Sequence, residues 1–317
     1  MNDETKSTAD DELLEEIENH AVTIAREAGK IVLGHFRGNV EIKFKGKRNQ
    51  DPVTNADTES EAYLKQAIND RFPDHGIIGE EGTRDAPGAS YTWVLDALDG
   101  TANFINGMPL FCISVGVLRD GAPVAGAIYT PVSHLATSGV YHARMEHGTW
   151  LDDEKVEPRQ ASGRPLLGLP PFYRLTGESG KRPHERRSVG SIALELCFTA
   201  AGIFRYTLFG APKLWDVVAG AVIVREAGGL IYTRPRGSRE WQPLETFLPA
   251  PGTPDQKPLH DWAAPLLAGL EEPTRQAVRD LRPVRHTWRR LVRRLKNLGS
   301  QEKQQPGPEQ PAKPADA

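Results

Sequence analysis

The sequence predicts a mixed α/β (α+β) fold, and three observations carry that reading. Residues 11–36 place Leu14, Ile17, Ala21, Ile24, Ala25, Ala28, Ile31 and Val32 at helical spacing. Residues 75–143 break into short apolar runs punctuated by Gly and Pro, the pattern of successive strands. Residues 191–235 then read as helix, strand, helix and strand.

The elements follow in order. The first helix is expected from Asp10 or Asp11, either of which suits an N-cap. "NVEIKFKGKRNQ" alternates Val40, Ile42 and Phe44 with Glu41, Lys43 and Lys45, a half-exposed strand entering a basic turn. "TNADTESEAYLKQAINDRF" starts a second helix near Asn55, which Pro73 ends. "HGIIGEEG", "YTWVLDALD", "LFCISVGVLRDG", "PVAGAIYTP" and "LATSGVYHA" are strands, with "RDGAP" a hairpin turn. Residues 150–187 are rich in Pro, Arg and Gly and give no clear pattern. "SIALELCFTAAG" is a helix, "IFRYTLF" a strand, "WDVVAGAVIVREAGG" a buried helix of small residues stopped by Gly228 and Gly229, and "LIYTRP" a strand.

The organisation expected is a main body over 1–250, divisible near 150 into sub-domains of about 10–150 and 151–250. A helical extension follows over 251–298 and a disordered tail over 299–317. Within the extension, 283–298 reads as a basic amphipathic helix. Trp288, Leu291, Val292 and Leu295 lie on one face, and Arg285, Arg289, Arg290, Arg293, Arg294 and Lys296 surround it. Such a segment suits a peripheral membrane contact or an acidic partner, or docking on its own domain.

Composition narrows the function classes. A net charge of -3 gives no general attraction to nucleic acid, so none is expected as a partner. The acidic start is unlike a signal peptide, and no apolar run approaches the ~20 residues that span a bilayer. Cys112 and Cys197 lie in apolar runs as buried free thiols rather than a disulfide, so a cytoplasmic protein is expected.

"WVLDALDGTANF" (93–104) sets Asp96 and Asp99 inside an apolar strand, where unpaired carboxylates cost several kcal/mol. Asp57, Glu80 and Asp216 also fall at element junctions. Carboxylates gathered from several strand and helix ends suit Mg²⁺, and these segments carry little His or Cys that would suggest zinc. Gly100 and Thr101 add a turn into a helix whose free amides suit a phosphate. Each motif alone has a plainer reading: a solvated Asp-Gly turn, a helix cap at Asp57, an exposed strand end at Glu80.

Together, "DPVTNAD" (51–57), "GEEG" (79–82), "WVLDALDGTANF" and "WDVVAGAVIVREAGG" (215–229) resemble the inositol monophosphatase family over about residues 10–235. The resemblance implies a layered αβαβα sandwich, generally a homodimer, and hydrolysis of a small phosphorylated metabolite with roughly two or three Mg²⁺ ions. It implies Glu80, Asp96 and the Leu98 carbonyl as ligands of one metal, and Asp96, Asp99 and Asp216 as ligands of a second. Asp57 would help Glu80 hold a further ion or its waters and orient Thr101. Water activated between Glu80 and Thr101 would attack phosphorus, with the amides of Gly100 and Thr101 on the phosphate oxygens.

Several positions depart from the family pattern. Ala97 stands where proline is usual. "RRSVGSIALELC" places Gly190 and Ser191 toward the substrate hydroxyls, but Ile192 replaces a small residue. Phe209, seven residues before Asp216, replaces a glutamate that accepts from inositol hydroxyls. The segment from Trp150 to Arg187 looks short, as if a helix were lost.

An inositol-1-phosphate type of activity is the first expectation. Fructose-1,6-bisphosphatase, 3′-phosphoadenosine 5′-phosphate phosphatase and histidinol-phosphatase are alternatives. Lys181, Arg182, Arg186 and Arg187 are candidates for a second phosphate, or form a solvated basic loop. A reading of another class is a non-catalytic interaction protein acting through the basic segment.

Overall fold

The structure is a computed structural model and describes residues 3–38, 40–45, 51–80, 82–84, 88–159, 163–181, 183–235, 238, 240–249 and 258–284. Two large sheets and three helical layers alternate. The first sheet has eight strands in the spatial order Glu154–Lys155, Thr149–Leu151, Gly139–Arg144, Ala122–Thr130, Cys112–Arg119, Tyr91–Asp99, Gly76–Gly79 and Gly82–Arg84. The second has six, in the order Glu185–Arg186, Leu166–Gly168, Phe204–Phe209, Leu266–Leu270, Gly229–Thr233 and Gln242–Pro243.

The helices Asp3–His35 and Asn55–Arg71 cover one face of the first sheet with Ile17, Ile24, Leu64 and Ile68, all buried against Trp93, Leu95 and Val115. The helices Ile192–Ala200 and Leu214–Glu226 fill the space between the sheets. The helix Glu271–Asp280 packs its Ala277 on the far face of the second sheet, beside Leu167, Tyr206 and Leu267. The five layers are the αβαβα sandwich that the resemblance implied. Among the described residues, no helix is long and apolar enough to cross a membrane.

Small residues set the spacing at the centre. Gly116 and Gly126 are register partners on adjacent strands. A Cβ at Gly126 would lie 2.7 Å from the Cα of Ala219, and one at Gly116 would lie 2.8 Å from the Ala219 nitrogen. Only glycine lets the helix backbone approach this closely. The expected "RDGAP" hairpin turns on Asp120 and Gly121, with φ of 49° and 81°, the left-handed pair that matches strand twist.

Three expectations are corrected here. The first helix begins at Asp3, so Asp10 and Asp11 lie within it; Asp11 Oδ1 instead accepts from His147 Nε2 at 2.8 Å. Residues 266–270, expected as part of a helical extension beyond 250, form a strand between Phe204–Phe209 and Gly229–Thr233, antiparallel to both. A division at 250 would therefore cut the second sheet through its middle. Pro283, expected to open a helix, closes the strand Leu281–Pro283, which pairs with Tyr173–Leu175. Beyond Val284, the basic segment and the tail lie outside the described residues.

The segment 150–187 holds several strands of two or three residues and one short helix, Gly177–Lys181, joined by irregular chain. Both cysteines are free and buried.

Candidate active site

The site forms where the strand Tyr91–Asp99 meets the helices of the middle layer. In a regular strand, residues three apart point to opposite faces. Here Asp96 pairs with Ser114 and Asp99 with Cys112, so three steps on one strand oppose two on the other. This bulge inserts one residue and restores the face. Ala97 and Leu98 both pack in the outer core beneath the first two helices. Asp99 turns toward the middle layer: its Oδ2 accepts from Ser191 Oγ at 2.8 Å and from the Ala193 amide at 2.6 Å.

Asp216 reaches the same region from the helix Leu214–Glu226. Ser114, the partner of Asp96, donates its hydroxyl to the Trp215 carbonyl at 3.3 Å and thereby pins the start of that helix over the strand. Asp216 Oδ2 accepts from the Lys213 amide at 2.7 Å. Asp57 occupies the equivalent third position of its own helix, where its Oδ2 accepts from the Thr54 amide at 2.8 Å. The capping role expected of Asp57 from sequence is thus real, and a carboxylate has a second oxygen for other work. Asp57 Oδ1 accepts from Thr101 Oγ at 3.3 Å, while the same hydroxyl reaches the Leu98 carbonyl at 2.9 Å. One proton serves two acceptors. Glu80 follows directly on the strand Gly76–Gly79.

Burial and like charge dominate the electrostatics. Asp96 is 3% exposed, and its carboxyl is held well above the usual carboxylate range by burial, then by Asp99, Asp216 and Glu80. Burial raises Asp99 as well, against the donors at Ala193, Ser191 and Cys112. Asp216 is raised by burial and by Asp99. Asp57 is raised by burial against its bonds from Thr54. Asp99 and Glu80 thus add like charge to burial in disfavouring the ionisation of Asp96 and Asp216.

The donor set is hard oxygen throughout, which fits a cation such as Mg²⁺ rather than a soft metal. Among the described residues, however, no three or more acidic, imidazole or thiol side chains close on one point as a finished metal shell. Hydrogen bonds explain the open arrangement, since one oxygen of Asp57, Asp99 and Asp216 is already drawn toward backbone amides.

Gly100 has φ 91°, and a Cβ there would lie 3.0 Å from the Leu110 carbonyl and 3.2 Å from Ser191 Cβ. Glycine is required both by the backbone angle and by this contact. The helix it precedes, Thr101–Ile105, has only five residues. Ser191, expected to face substrate hydroxyls, is 1% exposed; besides its bond to Asp99, its Oγ accepts from the Leu194 amide and caps its helix. Its hydroxyl works inside the protein. Ser191 and Gly190 both line the cleft beside Asp216.

Two residues escaped the sequence reading. Asn103 Nδ2 donates to the carbonyls of Leu110 at 2.6 Å and Val189 at 2.8 Å, tying the loop before Gly190 to the site. Glu195 accepts from the Val189 amide at 2.6 Å and holds the same loop from the other side. An apolar helix with one isolated Glu in its first turn was the available signal for the latter. Nothing in the sequence marked Asn103.

The cleft itself holds about 610 Å³ and is lined by Asp216, Glu195, Phe209, Phe172, Arg186 and Arg187 among others. Of the basic run, Arg186 and Arg187 reach it, Lys181 ends the short helix Gly177–Lys181, and Arg182 lies outside the described residues.

Comparison with known proteins agrees with this architecture. The sequence pattern of the inositol monophosphatase family matches residues 13–268, a span that also passes the expected boundary at 250. Inositol monophosphatase 2 of Solanum lycopersicum is 34% identical over 248 residues, covering 71% of this chain and 89% of its own. A fructose-1,6-bisphosphatase/inositol-1-monophosphatase of Aquifex aeolicus is 33% identical over 227 residues, covering 66% and 83%. The inositol monophosphatase structure from Anabaena superposes with a TM-score of 0.62 at 24% identity, over 87% of this chain and 99% of that one. The suhB protein of Bartonella henselae gives 0.64 at 24% identity, over 83% and 97%. With its five layers, its carboxylate cluster and a match over most of its length, the chain belongs to the inositol monophosphatase family of phosphatases.

Proposed function

We propose that this protein is a Mg²⁺-dependent phosphomonoesterase acting on a small phosphorylated metabolite, with inositol 1-phosphate the first ester to test. The observation that carries the reading is the bulge that turns Asp96 and Asp99 to one face, against Asp216 and Glu80. Buried carboxylates that raise one another's pKa fit a site for divalent cations. Glu80, Asp96, Asp99, Asp216 and the Leu98 carbonyl are the residues that would hold them, with Asp57 supporting. Mg²⁺, when bound, supplies Lewis-acid stabilisation of phosphate oxygens and lowers the pKa of water.

The remaining steps belong to the chain's own residues. Thr101 Oγ lies within reach of Asp57 Oδ1. Water placed against Thr101 and Glu80 gives a proton to the Thr101 hydroxyl as that hydroxyl passes its own to Asp57; the water oxygen bonds phosphorus, and the ester oxygen leaves with its electron pair and takes a proton from solvent. The amides of Gly100 and Thr101 orient the phosphate. Loss of Thr101 or Asp57 therefore lowers kcat more than it raises KM.

The test is phosphate release from inositol, sugar, nucleotide and histidinol phosphates across a range of Mg²⁺, with Asp96→Asn alongside. Turnover that requires Mg²⁺ and disappears in the variant supports the reading. Turnover that persists in Asp96→Asn, or none on any ester, overturns it.

A further inference from the structure

The cleft carries charges of both signs. Asp216 lines it together with Arg186 and Arg187. Arg186 is anchored by a bond from Nη1 to the Tyr173 carbonyl at 3.2 Å, which uses one of its five N–H donors. Arg187 pairs with Glu185 at 2.5 Å, but both side chains are about half exposed, at 54% and 40%. A pair so exposed holds weakly and yields readily to an anion.

Much of the remaining wall is apolar, with Leu169, Pro171, Phe172 and Leu208 among its residues. Phe209 is 8% exposed and lines the cleft with a ring that has no hydrogen-bond acceptor. Phe172 is 43% exposed, and its ring lies over Gly210, where a Cβ would come within 3.0 Å of Cζ. Phe172 is fixed from behind by its carbonyl, which accepts from the Val284 amide at 2.8 Å. Glu195, which lines the cleft as Asp216 does, accepts from the Val189 amide at 2.6 Å and from Ser188 Oγ at 3.4 Å, so it holds the loop. A ring of hydroxyls would find few acceptors here. An anion and a flat apolar body would find guanidinium donors and an aromatic face.

We propose that Arg186, Arg187 and Phe172 form a leaving-group subsite for a phosphate ester that carries a second anionic group on an apolar or aromatic body. The volume of about 610 Å³ lies within the range of small-molecule sites and admits a leaving group of nucleoside size. Arg186 binds the second anion, Arg187 joins it by leaving Glu185, and Phe172 stacks on the body. This subsite rests on the phosphatase reading above and refines its substrate.

The experiment compares kcat/KM for a nucleoside 3′,5′-bisphosphate, the matching 3′-monophosphate and inositol 1-phosphate, in the wild type and in Arg186→Gln/Arg187→Gln. The bisphosphate is expected to exceed the monophosphate by about tenfold or more, the worth of one charge-assisted hydrogen bond, and the double variant brings that ratio toward one. Binding of the bisphosphate to Asp96→Asn protein, measured by calorimetry, weakens about tenfold when the two arginines are also replaced.

Faster hydrolysis of inositol 1-phosphate than of the bisphosphate, or a ratio that survives the double variant, overturns the subsite and leaves the phosphatase reading standing. No Mg²⁺-dependent release from any of the three esters overturns both. Arg186 and Arg187 lie on the surface, so the double variant is expected to keep the wild-type Tm, which circular dichroism checks.

Discussion

Glu18 and Asp96 are both almost fully buried, at 5% and 3% exposure, on opposite faces of the same eight-stranded sheet. Around Glu18 the charges alternate. Its Oε1 meets His142 Nδ1 at 2.7 Å and its Oε2 meets Arg144 Nη1 at 3.0 Å. Burial alone would raise its carboxyl, yet the bonds and charges of His142 and Arg144 hold it below the usual range. Around Asp96 the nearest charges are Asp99, Asp216 and Glu80, and burial and repulsion act together. The first cluster fastens the long N-terminal helix to the sheet. The second costs stability, and such clusters persist where a cation or a reaction needs them.

The sharpest way to break this contrast is Asp96→Asn. Activity is expected to fall by about a thousandfold, the several kcal/mol a metal supplies to transition-state charge. Without divalent metal, Tm rises in the same variant because one buried like charge is gone. A lower Tm, measured by calorimetry in chelator, would mean that Asp96 is paired rather than repelled.

Next in size is Mg²⁺ itself. Raising it to a hundred times its dissociation constant stabilises a folded binder by about 2.7 kcal/mol, read as a rise in Tm. That rise is expected in wild type and in Glu18→Gln, and not in Asp96→Asn/Asp216→Asn. An equal rise in all three would place the cation elsewhere.

Glu18→Gln tests the paired cluster, with a loss of about 2 kcal/mol in urea unfolding. The sign of its pH dependence follows from the two shifts. Glu18 is lowered from 4.5, so its contribution is present above that value and is lost as pH falls through the folded pKa. Burial lowers His142, but Glu18 and the Asp152 carbonyl outweigh it and raise the ring above 6.5. That contribution is full below 6.5 and is lost as pH rises through the folded value. The difference between wild type and Glu18→Gln is therefore widest between about pH 4.5 and 6.5. A difference that is flat across that range would remove His142 from the cluster's energetics.

The smallest expected effect is Ser114→Ala, about 1 kcal/mol for the lost bond to the Trp215 carbonyl. Its use is diagnostic, since a fall in apparent Mg²⁺ affinity at nearly unchanged Tm would show that Ser114 positions Asp216.

Local pattern made much of this legible. The helix at Asn55–Arg71 was readable because a Thr-x-x-Asp cap precedes a periodic face, and the strands from Gly76 to Arg144 because Gly and Pro punctuate them. Asp57, Glu80, Asp96, Asp99 and Asp216 stood out as acids at element ends. The strand Leu266–Leu270 was missed because "LLAGL" is too short to show a period and runs directly into a helix. Its strand character comes from neighbours at Phe204–Phe209 and Gly229–Thr233. Asn103 and Glu195 were missed for a related reason, since their partners are the loop at Val189, remote from Asn103 in the chain.

The sequence by itself determined the element types through much of the body and the acidic residues of the candidate site, because these depend on side-chain chemistry and short-range spacing. Tertiary structure alone decided that Asp96 and Asp99 share a face, since their odd spacing places them apart until a bulge against Cys112 and Ser114 adds a residue. It also decided that Ser191 bonds to Asp99 at the cleft's lining and that Arg186, Arg187 and Phe172 meet in that cleft. Those arrangements depend on strand register and layer packing, which join residues far apart in the chain and leave no local trace in it.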